Sequence, residues 1–187
     1  TMYQHYSLNA VLIGIQSNDK LVIAANLLKP NTFQESTLMW ARLNIDGQLD
    51  TTFENQGISY FTFPVGYPKY YTNAIILPND DILFINSAKT GKIAKLKMNG
   101  LIDSSFGNNG FADNPSFAQN YAISKGITQP DGKIVLVGQT QSTSNLFYIS
   151  RLLPNGSIDS NFGTNGSMTA KIDSINRAIS VALQNDG

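Results

Sequence analysis

One eight-residue pattern, Asp-x-x-Phe-x-x-x-Gly, limits what this chain can fold into. It occurs three times, as Asp50/Phe53/Gly57, Asp103/Phe106/Gly110 and Asp159/Phe162/Gly166. A period of roughly 53–56 residues means one supersecondary unit copied along the chain. A unit of that kind cannot bury its apolar faces alone, so each copy needs a neighbour.

Alignment of the copies places them at about 9–69, 70–121 and 122–177, with the start of a fourth at 178–187. Each opens with a mostly apolar strand: Ala10–Gln16, Ala74–Leu77, Ile123–Gln129 and Ile179–Gln184. A tight turn follows at Asn18-Asp19, Asn79-Asp80 and Asp131-Gly132, residue pairs that tolerate positive φ. The second strand is a continuous apolar run (Leu21–Ala25, Ile82–Ile85, Ile134–Val137) and so demands cover on both faces. A third strand (Met39–Leu43, Ile93–Leu96, Tyr148–Leu152) ends at a second turn containing Gly47, Gly100 or Gly156. The signature then leads to a fourth strand near Ile58–Phe63, Phe111–Ala112 and Ser167–Ile172, with one helical turn expected at Ser104–Phe106 and its equivalents.

Four short antiparallel strands per copy predict an all-β fold of β-propeller blades. A β-solenoid fits less well, because its coils are shorter and lack two hairpin turns per period. Three copies and a stub do not close a ring of roughly four to eight blades. The expectation is therefore a partial propeller or half of a dimeric ring, completed by a second chain or by the remainder of a longer one.

Composition narrows the functional classes. Only 14% of residues are charged, against about 25% in an ordinary globular domain, and turn-forming Asn, Gly, Ser and Thr fill the deficit. The 13 basic and 13 acidic side chains balance and form no basic stripe, which argues against a nucleic-acid partner. Absence of cysteine excludes disulfides, thiolate catalysis and Cys-ligated zinc. No apolar run approaches the ~20 residues of a transmembrane helix, so no membrane insertion is expected.

Within the signature, Asp can accept backbone N–H bonds from the turn after it, Phe can fill the wedge between blades, and the last Gly supplies a conformation denied to other residues. A basic residue stands eight positions before each Asp: Arg42/Asp50, Lys95/Asp103 and Arg151/Asp159. These pairs predict a charge contact repeated in every copy. A calcium loop is the competing reading, but one carboxylate per copy falls short of the about six to eight oxygens Ca²⁺ takes.

Candidates for ligand contact are the aromatics Tyr67, Tyr70 and Tyr71 on the connection after the first copy, together with Trp40, the sole tryptophan. Rings on a loop can stack on a sugar or anchor a protein partner, although inward packing explains the tyrosines better, and Trp40, on a strand, fits core or inter-blade packing better than ligand stacking. His5 is the only histidine, and Glu35 and Glu54 are the only glutamates. No nucleophile–base set, paired acids or phosphate-cradling loop is present, so no catalytic residue, metal or cofactor is expected.

The third copy, with Gln129-Pro130-Asp131-Gly132-Lys133, Val137-Gly138, Arg151-Leu152, Asp159, Phe162-Gly163 and Gly166, resembles the delta-60 repeat β-propeller family. The second copy keeps Lys95-Leu96, Gly100, Asp103, Phe106-Gly107 and Gly110. The first departs at Glu54, where the family has Gly, and at Asn18-Asp19, so its turns are expected to differ. The resemblance covers about residues 9–187. It implies a bacterial, often large and exported or surface-located propeller protein and carries over no catalytic residues. The expected role is a non-enzymatic binding scaffold for a protein partner. A lectin-like glycan binder is the alternative, and a hydrolase or its accessory domain is the weakest.

Overall fold

The computed structural model describes residues 7–28, 36–63, 73–86, 92–113, 121–140, 146–171 and 178–184. Its strands form three separate four-stranded sheets, each an antiparallel meander in chain order. The first sheet comprises β1 (Ser7–Ile15), β2 (Leu21–Leu28), β3 (Ser36–Leu43) and β4 (Ile58–Phe63). The second comprises β5 (Asn73–Ile76), β6 (Ile82–Ile85), β7 (Lys92–Leu96) and β8 (Phe111–Asp113). The third comprises β9 (Tyr121–Thr128), β10 (Ile134–Thr140), β11 (Phe147–Leu152) and β12 (Ser167–Ala170). Successive sheets approach one another along their first strands, β1 beside β5 and β5 beside β9. These are propeller blades, one per repeat.

The middle blade shows why the second strands are apolar throughout. All four residues of β6 are 0% exposed. Ile82 and Phe84 pack against Val22, Ala24, Leu38, Trp40 and Phe53 of the first blade. Leu83 and Ile85 point the other way, into Ile134, Leu136, Tyr148 and Leu152 of the third. Burying each such side chain contributes about 1.5–3 kcal/mol. The end blades have one neighbour each, and the difference is visible in their second strands. Leu21, Ile23 and Val135 are only half-buried, because they face away from the array.

The signature phenylalanine is the wedge between blades. Phe53 and Phe106 are 2% and 1% exposed. Each ring lies on the second-turn glycine of the following blade, Phe53 on Gly100 and Phe106 on Gly156. A Cβ at Gly100 would come within 2.7 Å of the Phe53 ring, and one at Gly156 within 2.9 Å of Phe106. Both glycines also hold positive φ, +92° and +87°. The same seam carries a backbone bond from the residue after each Phe: Glu54 N–H donates to the Asn99 carbonyl at 3.1 Å, and Gly107 N–H to that of Asn155 at 2.8 Å.

Two expectations need adjustment. No copy forms a helical turn at Ser104–Phe106 or its equivalents: all three make hydrogen-bonded turns there, and the tight turn that follows in the first copy, Glu54–Gly57, holds Asn55 and Gln56 in left-handed conformations. Gly107 and Gly163 take φ of +56° and +55°; Glu54 has a side chain, and in its copy Asn55 adopts the left-handed conformation at +50° instead. The second adjustment concerns Ile179–Gln184, which is not a strand: residues 178–184 carry no regular structure and Ile179 is 74% exposed. A strand exists only with a hydrogen-bonding partner, and among the described residues no strand pairs with 178–184.

Phe106→Ala is expected to lower stability by about 3–5 kcal/mol. Gly156→Ala, which drives a methyl into that ring, should lower it by about 1–3 kcal/mol. The double substitution should cost less than the two losses combined, since removing the ring relieves the clash. Urea unfolding midpoints check this, and simple additivity would disprove the ring-on-glycine contact.

Candidate functional site

The three basic–acidic pairs are all formed. Arg42 Nε lies 2.6 Å from Asp50 Oδ2, Lys95 Nζ 2.9 Å from Asp103 Oδ2, and Arg151 Nε 2.7 Å from Asp159 Oδ2. Local backbone geometry places them. The Asp50, Asp103 and Asp159 N–H groups donate to the carbonyls of Arg42, Lys95 and Arg151 at 2.8, 2.9 and 3.0 Å. Folding the chain back in this way fixes each carboxylate beside its base.

The other carboxylate oxygen caps the turn that leads to Phe. Oδ1 of Asp50 accepts from the Thr52 N–H and hydroxyl, and that of Asp103 from those of Ser105. Oδ1 of Asp159 accepts from the Asn161 N–H at 3.2 Å. Every oxygen is thus turned toward a donor or a cation, which leaves no ligand set for calcium. Among the described residues no group of His, Asp and Glu is placed to hold a metal ion.

Burial would raise the Asp50 pKa, but hydrogen bonds from Lys20, Thr52 and Arg42 outweigh it and hold the carboxyl well below the usual range. Asp103 is likewise lowered: burial opposes the shift, and Ser105 and Lys95 drive it. These are poor bases, so the Thr52 and Ser105 hydroxyls beside them are not activated as nucleophiles. Lys95 also touches Asp81 at 3.0 Å. Desolvation pulls its pKa down, yet Asp103 and Asp81 together raise it, so it remains an ammonium and not an amine nucleophile. Nothing in this arrangement points to catalysis.

The two seams between blades differ in a way that creates a cleft. In the first seam, Gln16 Nε2 donates to the Asp80 carbonyl at 2.8 Å and the Met98 carbonyl at 3.2 Å. The Ser17 N–H donates to Asp80 Oδ1 at 2.8 Å, and the Ser17 hydroxyl bonds Oδ2. Arg42 Nη1 donates to the Met98 carbonyl at 2.8 Å. Polar groups therefore stitch this end of the seam shut. In the second seam, Leu77 and Pro78 stand where Gln16 and Ser17 do, and Gly132 and Pro154 replace Asp80 and Met98. Leucine has no donor, proline no N–H, and glycine no carboxylate, so this stitch cannot form. What remains is a cavity of about 200 Å³, walled by Leu77, Pro78, Pro130 and Pro154, with Asn79, Lys95, Thr128 and Gln129 as its polar groups.

Residues 129–162 match a family model described as a domain of unknown function (DUF5122) beta-propeller. The matched run begins at the cleft-lining Gln129 and ends at the signature Phe162. No curated protein and no solved structure matches the chain. The chain is thus similar to a β-propeller repeat family, in agreement with its three four-stranded blades.

Of the aromatic candidates, Trp40 does not line an open surface. It is 2% exposed, donates its indole N–H to the Gly100 carbonyl at 3.1 Å and packs 6.2 Å from the Phe84 ring. Tyr67, Tyr70 and Tyr71 lie outside the described residues, as does His5. The cleft escaped the sequence reading, although its signal was available: each copy keeps its first turn, but only the second places Leu-Pro before it and faces a glycine. Among the described residues no helix is long and apolar enough to cross a membrane.

Asp50→Ala strands Arg42 and Lys20 without their shared carboxylate and is expected to cost about 3–5 kcal/mol. The lowered Asp50 and Asp103 contribute stability that is complete above the ordinary carboxylate value, about 3.9, and is lost as pH falls toward the depressed folded values. Raised Lys95 contributes stability that is complete below about 10.4 and is lost as pH rises through its folded value. Denaturant midpoints should therefore plateau between these limits and fall on either side, with Asp50→Asn flattening the acid limb. An unchanged acid limb in that variant would contradict the assignment.

Proposed function

We propose that the chain is a non-catalytic propeller scaffold of the delta-60 repeat type whose cleft between the second and third blades receives an apolar or aromatic side chain of a protein partner. The observation that supports this most is the substitution of the polar stitch of one seam by Leu77, Pro78, Gly132 and Pro154 in the next. A volume of about 200 Å³ is comparable to the roughly 150 Å³ that holds a benzene-sized group elsewhere. Rigid proline walls need little ordering when a group enters, which favours binding. Lys95, already neutralised by Asp81 and Asp103, offers orientation without a strong net charge. An exported or surface location follows from the family resemblance and belongs to the same reading.

A glycan-binding role is the second reading. It is favoured by Tyr60, 56% exposed on β4 at the start of the segment that carries Tyr67, Tyr70 and Tyr71. Burial of Trp40 counts against it.

Indole titrated into the protein should give saturable amide shifts at Lys95 and Gly132 in heteronuclear NMR spectra. Pro78→Ser combined with Gly132→Asp, which restores the Ser17–Asp80 part of the first seam's polar stitch, should abolish them. Absence of shifts in the unaltered protein would defeat the cleft reading. A glycan-array signal lost on Tyr67→Ala, Tyr70→Ala or Tyr71→Ala would favour the glycan reading instead.

A further inference from the structure

The substitutions that open the cleft also strip two backbone carbonyls of their donors. In the first seam, Gln16 Nε2 bridges the Asp80 and Met98 carbonyls, and Arg42 Nη1 donates to Met98 as well. The equivalent acceptors of the third blade are the carbonyls of Gly132 and Pro154, and both residues line the cleft. Their turns repeat those of the second blade. The Gly132 N–H donates to the Gln129 carbonyl at 2.9 Å, as that of Asp80 does to Leu77. The Gly156 N–H donates to the Leu153 carbonyl at 2.9 Å, as that of Gly100 does to Lys97. The same backbone therefore presents the same pair of carbonyls to each seam.

Among the described residues, neither the Gly132 nor the Pro154 carbonyl accepts a hydrogen bond. Two separate changes bring this about. Leu77 replaces Gln16 and has no N–H on its side chain. Lys95 replaces Arg42, but Asp81, standing where the first copy has Lys20, draws its ammonium back. The Lys95 Nζ lies 3.0 Å from Asp81 and 2.9 Å from Asp103, both on its own blade. The cleft thus sets two unserved acceptors beside walls of leucine and proline. A phenylalanine ring would cover those walls and take the carbonyls out of water without a donor, which is costly. A carboxamide would supply the donor and bury a carbonyl oxygen of its own. Indole is the apolar side-chain ring whose one polar atom is a donor and nothing else. The first seam already holds an indole in this manner, Trp40 donating to the Gly100 carbonyl at 3.1 Å.

With the cleft as the partner's binding site, a reading this assignment requires, we propose that its occupant is a tryptophan side chain. The indole N–H donates to the Gly132 and Pro154 carbonyls, in the place that the Gln16 amide fills in the first seam. The ring lies against Leu77, Pro78, Pro130 and Pro154. Lys95 keeps its two carboxylates throughout and takes no part in holding the ring.

Two small probes of matching shape test the assignment: 3-methylindole, and 3-methylbenzothiophene, which has sulfur where the indole has its N–H. Each is titrated into the unaltered protein while amide and carbonyl-carbon NMR shifts are followed. The indole should bind at least about threefold more tightly, the effect of one net hydrogen bond. It should also move the Gly132 and Pro154 carbonyl carbons downfield, and the benzothiophene should not. Leu77→Gln supplies an amide from within the chain and should erase the difference in affinity, with circular dichroism establishing that the variant folds. The carbonyl shifts check the contact without any substitution. Equal affinities in the unaltered protein overturn the tryptophan assignment and leave the cleft reading standing. Carbonyl carbons that ignore the indole do the same, as does a folded Leu77→Gln that keeps the preference. Amide shifts at Lys95 and Gly132 with neither probe would defeat the cleft reading and the assignment together.

Discussion

An apolar strand exposed on both faces has no stable place in water, and the arrangement of this molecule follows from that constraint. Ile82–Ile85 alternates its side chains between two directions, as any strand must, and all four are shielded. One neighbouring sheet can cover only one face. Two are needed, so the second blade is held between the first and the third. Fold, seams and end surfaces all derive from this requirement, applied once per repeat.

The signature gives the stack its spacing and register. Its aspartate is held by a backbone bond to the basic residue eight positions earlier and by donors on both carboxylate oxygens. That fixes the turn from which Phe projects. Its phenylalanine meets the next blade only where the opposing residue has no side chain, at Gly100 and Gly156. A carboxylate, a ring and a glycine spread over two copies thus act as one joint. The charged pair is a device for placing the ring, and its depressed acid makes it unsuited to proton transfer.

Uniform joints allow the remaining positions to vary. The first seam is closed by Gln16, Ser17 and Arg42 against Asp80 and Met98. Leu77, Pro78, Gly132 and Pro154 leave the second open at the same height. Neither set disturbs the strands, because the backbone bonds of the first and second turns are made in every copy. A scaffold of this sort separates what holds it together from what it presents.

Much of the fold was legible in the residues alone: the repeat, the four strands per copy, the tight turns and the three charge pairs. These depend on contacts local in sequence, and Arg42 with Asp50 or Lys95 with Asp103 spans only eight positions. Seam chemistry was not legible, since it joins residues 63 or 64 positions apart, as Ser17 and Gln16 do with Asp80. Trp40 illustrates the same limit. A tryptophan on a strand is compatible with an open or a buried ring, and only the Gly100 carbonyl on the neighbouring blade fixes which. Periodicity and backbone chemistry dictate a unit and its need for neighbours. Which side chains then confront one another across a seam, and where a gap is left, is decided when the sheets pack.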